Sequence, residues 1–127
     1  MTLSHTISSN VSVDIGTLVI GYIDMPHAVT LTIADGATLT IQYGATFWNY
    51  EKVTIEDGGE LKNFSNDFEN FANAEIEAQG TGKLTNMGGG IIYDHGDLNM
   101  PATSLLQDTT NNIEANAVIC THGDFWT

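Results

Sequence analysis

A glycine that recurs at fixed spacing constrains this chain more than any other feature. The segments Val29-Thr-Leu-Thr-Ile-Ala-Asp-Gly-Ala-Thr-Leu39, Glu51-Lys-Val-Thr-Ile-Glu-Asp-Gly-Gly-Glu-Leu61 and Asn73-Ala-Glu-Ile-Glu-Ala-Gln-Gly-Thr-Gly-Lys-Leu84 align with one another. Gly36, Gly58 and Gly80 stand 22 residues apart, and Leu39, Leu61 and Leu84 follow at 22 and 23. In Val29 to Ile33 apolar residues alternate with threonine, the period of a strand with one face buried. Asp35-Gly36, Asp57-Gly58 and Gly80-Thr-Gly82 are turn signals. Such a turn closes a hairpin or bends the chain at a solenoid corner. A meander has no reason to repeat its glycine at constant spacing, so the recurrence favours the corner. The expected fold is all-β: a short, single-stack parallel β-helix (β-solenoid), in which no unit buries its own apolar face. A β-sandwich or meander is the alternative.

Three stretches follow from this reading. Residues 1–28 form an N-terminal arm and a first imperfect rung, in which Gly16-Thr17-Leu18 mimics the later Gly-x-x-Leu, with Leu18 placed 21 before Leu39. Residues 29–100 carry the repeats. Residues 101–127, where the pattern fails after Pro101, form a C-terminal cap or oligomerisation segment, because a solenoid needs atypical ends. Between the repeats lie Phe47-Trp-Asn-Tyr50 and Asn63 to Phe71. Phe64, Phe68 and Phe71, spaced 4 and 3, suit one helical turn or, in a strand-and-link arrangement, internal aromatic stacks.

The wording Ile-x-Asp-Gly-x-x-Leu and Gly-x-Leu-x-Asn, across residues 29–100, resembles right-handed parallel β-helix proteins. That family includes bacteriophage tailspike and head-decoration proteins, bacterial surface proteins and polysaccharide lyases. The resemblance implies coils that stack like on like, with Leu31, Ile33, Leu39, Ile41, Val53, Ile55, Leu61, Ile76, Leu84, Ile92 and Leu98 inside. It also implies Asn63 and Asn86 stacked in an amide ladder. Hexapeptide acyltransferases share the six-residue spacing of Ile33/Leu39 and Ile55/Leu61, but their 18-residue coil does not match a spacing of 21 to 23.

Composition narrows the function. The 127 residues hold 16 acidic side chains against three lysines (Lys52, Lys62, Lys83) and no arginine, a net charge of −13. Nucleic-acid binding requires clustered cations that replace phosphate counterions, and anionic membranes repel such a chain. Zero arginines disfavour a lyase, which uses cations on an acidic sugar. A glycosidase needs a pair of carboxylates at a set distance, and among 16 acids a pair can always be nominated. No Gly-x-Ser-x-Gly elbow, phosphate loop or dinucleotide fingerprint occurs.

The remaining chemistry reads as structural. His5, His27, His95 and His122 have no metal-ligand spacing, and Cys120 with His122 is too few ligands for a site. Cys120, after an apolar run, reads as a small buried hydrophobe. Asp94-His-Gly-Asp97 reads as a turn rather than a catalytic phrase. Asp35, Asp57 and Asp94/Asp97 offer oxygens to calcium, yet they fit neither an EF-hand loop nor a calcium nonapeptide. No cofactor or metal is therefore expected. Thr30, Thr32, Thr38 and Thr40 suggest an ice-binding rank, which Glu75 interrupts.

The expected function is non-enzymatic and structural: a virion capsid decoration (cement) or spike subunit acting as a homo-oligomer, most simply a homotrimer. Its partners would be itself and a major capsid or tail protein. Trp48, Tyr50, Phe125 and Trp126 are the candidate contact residues. A carbohydrate-binding or carbohydrate-cleaving module, with these aromatics stacking on sugars, is the second class. A self-assembling surface filament is the third. The start Met1-Thr-Leu-Ser-His lacks the basic and apolar parts of a signal peptide, and no apolar run reaches membrane-spanning length. The expected location is the virion, with the extracellular space or cell surface as the alternative.

Overall fold

The computed structural model describes residues 4–21 and 29–100 in full, and the backbone of four strands between 105 and 126. In chain order the strands are β1 (His5–Ile7), β2 (Val11–Val13), β3 (Gly16–Ile20), β4 (Thr30–Ile33), β5 (Thr38–Ile41), β6 (Ala45–Asn49), β7 (Lys52–Ile55), β8 (Glu60–Asn63) and β9 (Phe68–Asn70). They continue as β10 (Glu75–Ala78), β11 (Lys83–Asn86), β12 (Ile92–Asp94), β13 (Asp97–Met100), β14 (Leu105–Asp108), β15 (Ile113–Ala115), β16 (Ile119–Thr121) and β17 (Asp124–Trp126). No helix occurs among the described residues, so the Phe64–Phe71 stretch takes the strand-and-link form.

Every third strand is a neighbour. The first sheet runs β1-β4-β7-β10-β13-β16, the second β17-β14-β11-β8-β5-β2 and the third β15-β12-β9-β6-β3. All the pairings are parallel, as between β4 and β7 or β8 and β11. The chain therefore visits three faces in turn and then repeats one rung along: a parallel β-solenoid. The Asp-Gly turns are its corners. Ala37 N–H donates to the Ala34 carbonyl and Gly59 N–H to the Glu56 carbonyl, closing each turn locally. The chain then moves to the next sheet instead of folding back on the strand it left.

Short strands suffice because each rung completes its neighbours' ladders, and alternation places one side chain in two inside. Leu31, Val53, Ile76 and Leu98 stand in register along the first sheet. Leu39, Leu61 and Leu84 do so along the second. Phe47, Phe68 and Ile92 do so along the third. All eleven core positions expected from the sequence are buried. Phe47 and Phe68 stack inside, centroids 4.6 Å apart at an interplanar angle of 26°.

The N-terminal residues take part in the stack. Ile7 pairs with Ile33 and Val11 with Leu39. The expectation that Leu18 occupies the Leu39 position is corrected: Leu18 lies on β3 in the third sheet, opposite Phe47. The first coil carries no Asp-Gly corner, and its second-sheet strand is Val11–Val13 instead. On the outer face of the first sheet, Thr6, Thr32 and Thr54 form a row that Glu77, not Glu75, continues. Glu75 stands opposite Lys52. Toward the other end the sheets continue past residue 100, with Leu84 opposite Leu106 and Leu98 opposite Ile119.

Candidate functional site

Two features stand out against this regular background: a buried polar ladder and an outer aromatic patch. Where strands of the third sheet end, the inward position is polar. Asn49, Asn70 and Asp94 are in register and wholly buried. Asn49 Nδ2 donates to Asn70 Oδ1 at 2.8 Å and to the Glu75 carbonyl at 3.0 Å. Asn70 Nδ2 donates to Asp94 Oδ1 at 2.9 Å and to the Asp97 carbonyl at 3.1 Å. Each side chain thus ties the coil above while bonding its own turn; Glu51 N–H, for example, donates to Asn49 Oδ1 at 3.1 Å. Burial of such polar groups is tolerable because their hydrogen bonds are made internally. A second ladder, expected from the sequence, ends the second sheet: Asn63 Nδ2 donates to Asn86 Oδ1 at 2.9 Å.

The aromatic patch lies on the third sheet's outer face, with Trp48 and Tyr93 both opposite Glu69 on the intervening strand. Tyr50 stacks on Phe71 with centroids 4.2 Å apart, and Trp48 meets the same ring edge-on at 6.2 Å and 88°. All three rings are half-buried. Asp67, on the coil above Trp48, fixes the patch. Its Oδ1 accepts from Trp48 Nε1 and its Oδ2 from the Thr46 hydroxyl, both at 3.2 Å. Ser65, buried, holds this turn by donating from its hydroxyl to the Ala45 carbonyl and accepting from Asp67 N–H.

Of the four expected contact residues, Trp48 and Tyr50 share this patch. Phe125 and Trp126 lie on β17, at the end of the second sheet, with Phe125 opposite Leu106 and Trp126 opposite Gln107. The topology therefore places the two pairs on different sheets. Their side chains, and that of Cys120, fall outside the described residues, as do His27 and His122. Phe71, expected with Phe64 and Phe68 as an internal stack, belongs instead to this outer patch; of the three only Phe68 is buried. Phe71 follows Trp48 by 23 residues and Tyr50 by 21, the coil spacing that marks neighbours across rungs.

The charged groups are mostly at the surface. Lys52 Nζ lies 3.5 Å from both Glu75 and Glu77 on the first sheet, exposed enough to contribute little. At the stacked Asp-Gly corners, Thr81 donates both its backbone N–H and its hydroxyl to Asp57 Oδ1 at 2.8 Å. These two donors, the N–H first, hold the Asp57 carboxyl below its ordinary range. A depression of about 240 Å³ beside them is lined by Thr38, Gly58, Gly59, Glu60, Thr81 and Lys83. Among the described residues no group of three or more His, Cys, Asp or Glu is placed to hold a metal ion. Nor is any helix among them long and apolar enough to cross a membrane.

Compared with known proteins, the chain matches no family model, no curated protein and no solved structure. The fold assignment rests on the pairing geometry itself.

Proposed function

We propose that the protein is a non-enzymatic structural subunit that works as a homo-oligomer, a trimer being the simplest closed form, with virion decoration (cement) or a spike as its setting. The supporting observation is the Trp48–Phe71–Tyr50 patch. It is a preorganised, half-exposed aromatic surface on the outside of a rigid sheet, held by Asp67. Aromatic side chains with a polar handle are what protein interfaces select. The first rung adds a second sticky surface: β1, β2 and β3 each end a sheet. Val11 and Ile15 are exposed beside them, Ile15 at 85%. Unpaired strand edges with apolar side chains invite association, and closed symmetry is the usual way to satisfy them.

The test is solution mass by light scattering on a sizing column. A discrete oligomer that Trp48→Ala with Tyr50→Ala reduces to monomer supports the reading; a clean wild-type monomer defeats it. Heterogeneous large species would indicate a filament. The carbohydrate reading keeps one specific support, the carboxylates of Asp67 and Glu69 beside the rings. A glycan array with a reducing-sugar assay separates that class.

A further inference from the structure

The ladder Asn49–Asn70–Asp94 changes chemistry at its last described rung. In the two lower rungs the side chain uses its oxygen to accept and its Nδ2 to tie the coil above. In Asp94 the Oδ1 atom fills the accepting role completely: it takes Asn70 Nδ2 at 2.9 Å and the Gly96 N–H at 3.2 Å. Oδ2 therefore stands where an amide nitrogen would be. It is the one buried side-chain oxygen or nitrogen among the described residues that has no hydrogen-bond partner. A carboxylate there would be an uncompensated buried charge, at a position where the other two rungs place an N–H donor to a backbone carbonyl, Glu75 for Asn49 and Asp97 for Asn70.

We propose that Asp94 is carried as a neutral carboxylic acid whose Oδ2–H replaces the ladder's amide N–H, making the packing of the following coil responsive to pH. The proposal stands apart from the oligomer reading. The surroundings agree with it. Burial raises the Asp94 carboxyl above its ordinary range, the Asn70 and Gly96 donors pull it down, exposed Asp97 raises it and His95 lowers it. On β9 the opposing residue is neutral Asn70, and Glu69 lies on the outer face opposite Tyr93. On β15, Ala115 is opposite Asp94 and Glu114 opposite Tyr93. On β10, Glu75 is engaged by Lys52. No cation among these groups sits on Oδ2.

The linkage has a definite sign. With the folded value raised, stability is full below the unfolded aspartate value and declines as pH climbs through the window up to the folded value. The loss falls where Asp94 meets the following coil, opposite Ala115 of β15, so acid favours the docking of that coil and neutral or alkaline pH weakens it.

The test compares the full-length wild type with Asp94→Asn by thermal melting from pH 4 to pH 8. Asn restores the ladder, so the variant should melt higher at pH 8 by about 3–10 °C, with the gap closing toward pH 4. Amide exchange, corrected for its intrinsic pH dependence, should show β13 and β16 of the wild type opening more as pH rises, and the variant flat. The side-chain carboxyl of Asp94 followed by NMR in the wild type should titrate above the ordinary aspartate range. A gap independent of pH, a variant less stable throughout, or an Asp94 that titrates at or below the ordinary value would overturn the proposal. If the variant fails to fold, the wild-type titration alone decides.

Discussion

Asn63 and Asn86, 23 residues apart in sequence, share one hydrogen bond of 2.9 Å in the buried end of the second sheet. Asn63 also donates to the Ser65 carbonyl at 2.8 Å and accepts from the Ser65 N–H at 3.0 Å. It thereby fixes its own turn and the next coil at once. Asn63→Ala would leave several buried polar groups without partners. A loss of about 2–4 kcal/mol is expected by urea denaturation; Asn86→Ala, which deprives the Gly90 carbonyl of its 2.8 Å donor, should also destabilise.

Phe68 fills the centre of the stack against Phe47. Phe68→Ala should cost about 3–5 kcal/mol, and Phe68→Leu a smaller amount, since leucine retains most of the volume. Equal effects of the two substitutions would show that the interior collapses freely around this position.

Glycine matters at some corners for closeness rather than for flexibility. A Cβ on Gly82 would lie 2.7 Å from the Ile55 carbonyl oxygen of the coil below, and one on Gly59 at the same distance from that of Ile33. Backbone oxygens cannot retreat as a side chain can. Gly82→Ala should therefore destabilise by about 1–3 kcal/mol. Gly89→Ala, with open space around the new methyl group, should be neutral or slightly stabilising. Paired thermal melts would check the contrast.

Asp57 and Asp94 respond to pH in opposite senses. The Thr81 donors lower the Asp57 carboxyl, so its contribution is present above the unfolded aspartate value and is lost as pH falls through the folded one. Thr81→Val removes the hydroxyl donor. The variant should show a smaller acid-side loss than wild type in melts between pH 5 and pH 2, and an Asp57 titration shifted upward by NMR.

The net charge of −13 gives a further expectation. Raising sodium chloride from low to moderate concentration should raise the melting temperature, because self-repulsion among carboxylates is screened beyond about 10 Å at 0.1 M salt. Sulfate and chloride salts compared at equal ionic strength would isolate screening from general salt effects.

The corners between the first and second sheets were legible because their length is constant. Ile33 to Leu39, Ile55 to Leu61 and Ala78 to Leu84 each span six positions, so turn chemistry and strand alternation repeat in phase. The third sheet was harder to see. Its register steps vary, 21 from Phe47 to Phe68 and 24 from Phe68 to Ile92, because the links on either side differ in length. One of those links holds Asn73 at φ 69°, a left-handed conformation that asparagine tolerates but does not announce. For this reason Asn49, Asn70 and Asp94, spaced 21 and 24, do not show the 22- and 23-residue period, whereas Asn63 and Asn86 do. The same variation displaced Leu18 from the row its glycine suggested. The Trp48 and Tyr50 patch was half legible: the rings were evident, but their shared partner Phe71 was expected in the interior.

The six-position corner, which recurs every 22 or 23 residues, has an architectural consequence. A stretch such as residues 51–73 leaves the stack at the same point around its perimeter at which it entered, one rung further on. Copying or deleting such a stretch would leave the cross-section unaltered and change the height by about 4.8 Å, the spacing of neighbouring strands. Height in this protein is a counted quantity, set by whole turns, and a gene could adjust it in single steps without redesigning the interior.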